Sequence, residues 1–200
     1  SLLRMPNLVV FDFDGTITRK DTMLALAQYR CGLAGFLAGM VVLSPWLLMH
    51  VLGIYPNHRT KERFLTFFFG GTMVEEFDKL CQQFIDEKLE GMLRSDAIKC
   101  LKQHNEAGDR VLVVTASAGN WVMPWCIRYG VECIASSLEV KEGKITGRLD
   151  GKNCYGEEKV RRLLEKARPG DYDALIVYGD SRGDSALGKM ADKYFYRNFA

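Results

Sequence analysis

The chain has 200 residues, 48% of them hydrophobic, which is enough for one domain with a full core and a modest insertion. A formal net charge of +2 is too small to suggest nucleic acid as a partner, and no aromatic-interleaved basic patch, zinc-finger spacing or nucleotide-binding glycine fingerprint occurs. The six cysteines are scattered with no Cys-x-x-Cys pair, and several sit in apolar patterns.

In chain order, the first element is an apolar run from Leu8 to Phe11, read as a short buried strand that stops at Gly15-Thr16. Asp12 and Asp14 therefore stand at the carboxyl end of a strand, the edge where open α/β sheets bind ligands. Carboxylates spaced by one residue repel unless a cation and an oxyanion chemistry use them together. A hard divalent ion such as Mg²⁺ suits such a pair, with one aspartate as nucleophile and the other as proton carrier. Capping of an ordinary turn is the simpler reading of the same residues.

From Thr18 to Ala107 no strand pattern appears, and the segment reads as several helices, the first capped by Asp21. Residues 75–88 place Phe77, Leu80, Phe84 and Ile85 on one stripe of an amphipathic helix. Residues 32–57 contain no Asp, Glu, Lys or Arg, and His50 is their sole ionisable side chain. The stretch is long enough for a membrane span, but a single crossing would separate Asp12 from the later strands. Two spans also fail, because Ser44-Pro45 divides it into halves of roughly 18 Å against a hydrocarbon core near 30 Å. What remains is a shallow hairpin bent at Pro45, either dipped into one leaflet or buried in the covering domain or an oligomer contact. Arg30, Arg59, Lys61 and Arg63 on the flanks, with Trp46 and Tyr55, favour the leaflet.

A second buried strand, from Arg110 into Thr115-Ala116-Ser117, ends in hydroxyl residues. Thr115 can hold a phosphate oxygen, with the following backbone N–H groups at a helix start as further donors, or it can be a cap. Lys159 opens a Glu/Lys/Arg-rich helix, where a lysine is ordinarily a solvated charge, as Lys166 is expected to be. A third strand, Ala174 to Tyr178, empties into Gly179-Asp180-Ser181-Arg182-Gly183-Asp184. A metal gives Asp180 and Asp184 a purpose that packing does not, although a helix-dipole role for Asp184 is the plainer alternative.

Phe11-Asp-Phe-Asp-Gly-Thr16, Thr115, Gly156-x-x-Lys159 and Gly179-Asp180 to Asp184, in that order, resemble the four motifs of the haloacid dehalogenase-like phosphatases. The resemblance implies an α/β fold: a Rossmann-like parallel sheet flanked by helices, with a helical cap of the first type inserted after the first strand. It implies a core of residues 1–17 and 91–200 and a cap of 18–90 carrying the apolar hairpin 32–57. Asp12 is then the nucleophile that becomes an aspartyl-phosphate and Asp14 the acid/base. Gly15, Thr115, Ala116, Ser117 and Lys159 bind phosphate, and Asp12, Asp14, Asp180 and Asp184 serve the Mg²⁺ site, Asp180 directly and Asp184 through water or by orienting the shell. Val114-Thr-Ala-Ser117, Trp121-Val-Met-Pro124, Thr146-Gly-Arg148 and Tyr178-Gly-Asp-Ser181 narrow the resemblance to the subgroup that includes phosphatidylglycerophosphatase C and phosphoserine phosphatase-like proteins.

The expected substrate is a phosphorylated small molecule or a lipid phosphate, with peripheral membrane contact through residues 32–57. A soluble metabolite phosphatase and a non-catalytic membrane-binding module are the alternatives. The leader Ser1 to Met5 is too short for targeting and the scattered cysteines read as reduced thiols, so the expected location is cytoplasmic, with a peripheral place on the cytoplasmic membrane face if residues 32–57 enter the leaflet.

Overall fold

The computed structural model describes residues 5–199; the leader segment 1–4 lies outside them. Six strands form one sheet in the order β4-β3-β2-β1-β5-β6, parallel except for the antiparallel edge strand β4. They are β1 (Leu8–Phe11), β2 (Arg110–Ala118), β3 (Glu132–Lys141), β4 (Lys144–Asp150), β5 (Leu175–Gly179) and β6 (Lys193–Tyr196). The helices are α1 (Thr22–Val51), α2 (Asn57–Phe69), α3 (Val74–Phe84), α4 (Ser95–Glu106), α5 (Gly119–Tyr129), α6 (Glu157–Lys166) and α7 (Ser185–Met190).

Strand β1 lies between β2 and β5, so its apolar run is buried on both faces. Val9 and Phe11 face the larger core with Leu101 of α4 and Trp121 of α5, while Leu8 and Val10 face Leu163 of α6 and Leu187 of α7. This is why the run is continuous rather than alternating. At its start, buried Asn7 donates through its backbone N–H (2.8 Å) and Nδ2 (3.1 Å) to Asp109 Oδ1, which registers β1 against β2.

Between β1 and α4 lie α1, α2 and α3, followed by a π-turn at Ile85–Leu89. Asp21 caps α1, its carboxylate accepting from Leu24 N at 3.0 Å. Of the stripe expected on α3 and the following turn, Phe77, Phe84 and Ile85 are buried. The hairpin expected at Pro45 is absent. The helix breaks earlier, at Gly32 (φ 71°, ψ 173°), and then runs through Pro45 to Val51. Pro45 lacks the N–H that would bond Val41 O, and the Ser44 hydroxyl takes that carbonyl at 2.7 Å, so the helix survives the proline. The real reversal is between α1 and α2, where Gly39 brings the helices together: a Cβ there would lie 2.5 Å from Phe68. Strands β3 and β6 are elements the sequence pattern does not announce: β3 buries Ile134, Ser136 and Leu138 between half-buried and exposed residues, with Ser136 interrupting the apolar side, and β6 has four residues at the sheet edge.

Helix α2 rests on the edge strand β4 at one tight place. Gly147 has φ +90°, and a Cβ on it would stand 2.3 Å from Thr66 N and Cα. Gly147→Ala therefore combines left-handed strain with a backbone clash and is expected to destabilise the fold by about 1–3 kcal/mol, measured by urea unfolding against wild type.

Candidate active site

The carboxyl ends of β1, β2 and β5 converge on Lys159, whose side chain is 2% exposed. Its Nζ donates to Asp12 Oδ1 at 2.8 Å, Asp184 Oδ1 at 2.7 Å and Val114 O at 2.9 Å, so all three ammonium protons are used. A Glu/Lys/Arg-rich helix hides its one functional lysine on the first turn facing the sheet, while Lys166 is exposed as expected. Burial works to lower the pKa of the Lys159 ammonium, but Asp12 and Asp184 outweigh it and leave it raised. Burial pushes the Asp12 carboxyl above the ordinary carboxylate range; Lys159 pulls it back, and Asp184 and Asp14 add to the rise.

Asp12, Asp180 and Asp184 each bring a carboxylate oxygen within 4.8 Å of the others. Three carboxylates against one ammonium leave two negative charges, the complement of one divalent cation. Asp184 Oδ2 is already held by Asp180 N, Ser181 N and Ser181 Oγ, each at 3.1 Å. Asp180 differs: its Oδ1 is buried with no hydrogen-bond donor. An orphaned acceptor beside two further carboxylates fits a hard cation such as Mg²⁺. Gly15 (φ +80°) makes room for Asp180, since a Cβ there would lie 2.0 Å from Asp180 Oδ2.

Asp14 stands outside that trio. Its Oδ1 accepts from both Thr22 N and Thr22 Oγ1 at 2.6 Å, and its Oδ2 from Ser117 Oγ at 2.5 Å. Thr22 in turn accepts from Trp121 Nε1 at 2.8 Å, so a buried indole on α5 fixes the threonine that fixes the aspartate. Of the four aspartates expected at the metal site, Asp12, Asp180 and Asp184 come together, while the Asp14 carboxylate lies apart and accepts from Thr22 and Ser117, with one lone pair of Oδ2 left over.

The second strand is also corrected in detail. β2 continues through Ala118 and α5 begins at Gly119, so Ala116 and Ser117 are extended chain, not a helix start. Ser117 N donates to Thr115 Oγ1 at 3.0 Å, which leaves the Thr115 hydroxyl proton for a ligand. The Ser117 hydroxyl is spent on Asp14, and the Ala116 carbonyl accepts from Lys61 Nζ, which also donates to Asn153 Oδ1 at 3.0 Å. Burial lowers the Lys61 pKa to about 8, against the pull of Asp14 and Asp21. Thr22, Trp121, Asn153 and the inward role of Lys61 were not apparent in the sequence; the one available signal was that Thr22 follows the capping Asp21.

Above these groups opens a cavity of about 530 Å³, with Asp12, Asp14, Gly15, Thr115, Lys159 and Asp180 on its floor. Met23 and Leu24 near the start of α1, Met40 and Leu47 further along it, and Phe64 and Lys61 of α2 form the opposite wall.

The chain matches the haloacid dehalogenase-like hydrolases over residues 9–189. It is 33% identical over 196 residues to Protein CicA of Caulobacter vibrioides, covering 97% of this chain and 87% of that one. It is 24% identical to a histidinol-phosphatase of Neisseria meningitidis serogroup C, covering 94% and 89%. Among solved structures, a Bordetella pertussis Tohama I protein of unknown function superposes with a TM-score of 0.83 at 24% identity, covering 95% and 89%. A substrate-bound phosphoserine phosphatase superposes with a TM-score of 0.68 at 19% identity, covering 96% and 86%. The chain belongs to the haloacid dehalogenase-like hydrolases.

Two variants test this arrangement. Lys159→Met strands Asp12 and Asp184 without their cation and is expected to cost about 3–5 kcal/mol of stability, read by chemical unfolding. Ser117→Ala frees one oxygen of Asp14 without opening the core. It is expected to slow turnover of a phosphate monoester by roughly 10- to 100-fold, less than the loss of a whole acid/base, because Thr22 still holds Asp14, with KM little changed.

Proposed function

We propose that the enzyme hydrolyses phosphate monoesters in two steps through an aspartyl-phosphate on Asp12, with Mg²⁺ as resident cation and a lipid phosphate, such as phosphatidylglycerophosphate, as substrate. The observation that carries the chemistry is the Asp12 carboxylate held 2.8 Å from the buried Lys159 ammonium on the cavity floor. Asp12 and Asp180 would hold the ion, with Asp184 shaping its surroundings through Lys159 and the Ser181 loop. When bound, the ion would offset negative charge on the transferring phosphoryl group.

In the first step the free oxygen of Asp12 bonds to phosphorus, and the bond from phosphorus to the ester oxygen breaks. The Thr115 hydroxyl is the donor for a phosphoryl oxygen as charge builds on it, and the Lys159 ammonium, its protons held by Asp12, Asp184 and the Val114 carbonyl, offsets that charge from beside Asp12. Asp14, protonated and steadied by Thr22 and Ser117, gives its proton to the departing alkoxide. In the second step Asp14 takes a proton from water, whose oxygen bonds to phosphorus while the acyl-phosphate bond breaks. Asp12 is regenerated and inorganic phosphate leaves.

The choice of a lipid rests on the wall opposite the floor, where Met23, Leu24, Met40, Leu47 and Phe64 suit an apolar moiety attached to a phosphate. It puts the enzyme on the cytoplasmic face of the membrane. A soluble metabolite is the second reading, favoured by the polar rim of the same cavity, where Arg19, Lys20 and Asp21 would suit a small charged alcohol.

Asp12→Asn is expected to abolish Mg²⁺-dependent phosphate release and trapping of the acyl-phosphate, while circular dichroism stays unchanged. Full activity in this variant overturns the mechanism. On a panel pairing phosphatidylglycerol and lysophospholipid phosphates with phosphoserine and sugar phosphates, preference for the lipids supports the first reading and preference for the soluble esters the second.

A further inference from the structure

Beyond Gly32, helix α1 has three working sides. Met40 and Leu47 wall the catalytic cavity. Leu43 and Trp46 wall a separate groove of about 860 Å³ between α1, α2 and β4. The third side carries Leu33, Leu37, Val41 and Leu48, with Leu52 just beyond the helix, each more than half exposed. Their spacing of four and seven residues makes one stripe along the helix. The helix meets the length and hydropathy of a membrane span, with a mean hydropathy of 1.9 and only 11% of that window buried.

The groove beside this stripe is basic. Arg59 and Arg63 stand one turn apart on α2, and Arg148 faces them from β4. Arg63 lies over the Trp46 ring at 4.9 Å, and its Nε reaches Tyr55 OH at 3.4 Å. Two carboxylates share the groove but are occupied. Glu62 accepts from Leu149 N at 2.9 Å, and Glu139 accepts from Thr146 Oγ1 at 2.8 Å and pairs with Lys141 at 3.1 Å. Among the described residues no carboxylate lies within ion-pair distance of the three arginines. The Thr146 hydroxyl, Lys141 and Arg148 hold the Glu139 carboxyl below its ordinary range, and three guanidinium groups against two carboxylates leave the groove an excess of positive charge for a phosphate to meet.

A crossing of the bilayer is excluded because β1 and β2, on either side of this segment in the chain, are paired neighbours in one sheet. A second copy docked by the same face about a two-fold axis would bring both arginine grooves, each with an excess of positive charge, into one interface. An anionic leaflet offers what both features need, acyl chains for the stripe and phosphates for the guanidinium groups. We infer that the outer stripe of α1 and the Arg59–Arg63–Arg148 groove form one docking surface for an anionic lipid leaflet, separate from the catalytic floor. This deepens the lipid-phosphate reading above, and its test is binding rather than turnover, so the two fail separately.

The test is flotation of the full chain with phosphatidylcholine vesicles and with vesicles that also carry phosphatidylglycerol. Wild type is expected to float with the anionic vesicles and to be released by salt. Arg59→Gln, Arg63→Gln and Arg148→Gln are each expected to weaken binding about fivefold. Val41→Asp combined with Leu48→Asp is expected to abolish it, with circular dichroism and turnover of a soluble phosphate ester unchanged in every variant. Failure to bind either vesicle overturns the inference, as does equal binding to both that ignores the arginine changes. A concentration-dependent dimer in sedimentation that Val41→Asp with Leu48→Asp dissolves, without vesicle binding by wild type, assigns the face to a second copy instead.

Discussion

The buried ammonium of Lys159 is the contact on which the rest of the site depends. It joins α6 to the ends of β1 and β2 and to the turn after β5 through Asp12, the Val114 carbonyl and Asp184. Removing charges from water at this depth is expensive, and it is tolerable here because every proton of the ammonium meets an acceptor. The same cluster leaves an excess of negative charge and one carboxylate oxygen, on Asp180, without a donor. A site whose carboxylates outnumber its ammonium is thereby built from residues at the ends of three separate strands and on one helix.

The sheet was legible in the sequence wherever a strand is buried on both faces, because there the chain has no polar alternative. Runs such as Leu8 to Phe11 and Leu175 to Tyr178 can be nothing else, and the aspartates that follow them mark the functional edge. β3 and β6 lack that signature since one side of each meets solvent or the sheet margin. The site was legible in its charged residues, whose spacing is local. Its supporting contacts were not, because Thr22 on α1, Ser117 on β2 and Trp121 on α5 meet through the fold over separations of up to 103 residues.

The apolar stretch shows how one local bond overrides a strong sequence rule. Proline after serine in a charge-free run reads as a bend, yet the hydroxyl of Ser44 supplies the donor that Pro45 cannot, and the axis continues. The break falls instead on Gly32, whose backbone angles few other residues would adopt. As a result one continuous helical face, rather than two short arms, is presented on the outside, and the same helix serves as a partition between two cavities of different character.

Thr22 has a double position: it is the first residue of α1 and it supplies two of the three donors that hold Asp14. Its own hydroxyl is anchored from α5 by Trp121. A rotation of the first turn of α1, before the break at Gly32, therefore turns the carboxylate that the proposed mechanism uses as acid and base. Because Thr22 precedes the break at Gly32 and Met40 and Leu47 follow it, one helix both fixes the Asp14 carboxylate and walls the cavity, with a joint between the two tasks, so the wall can be reshaped without disturbing the carboxylate.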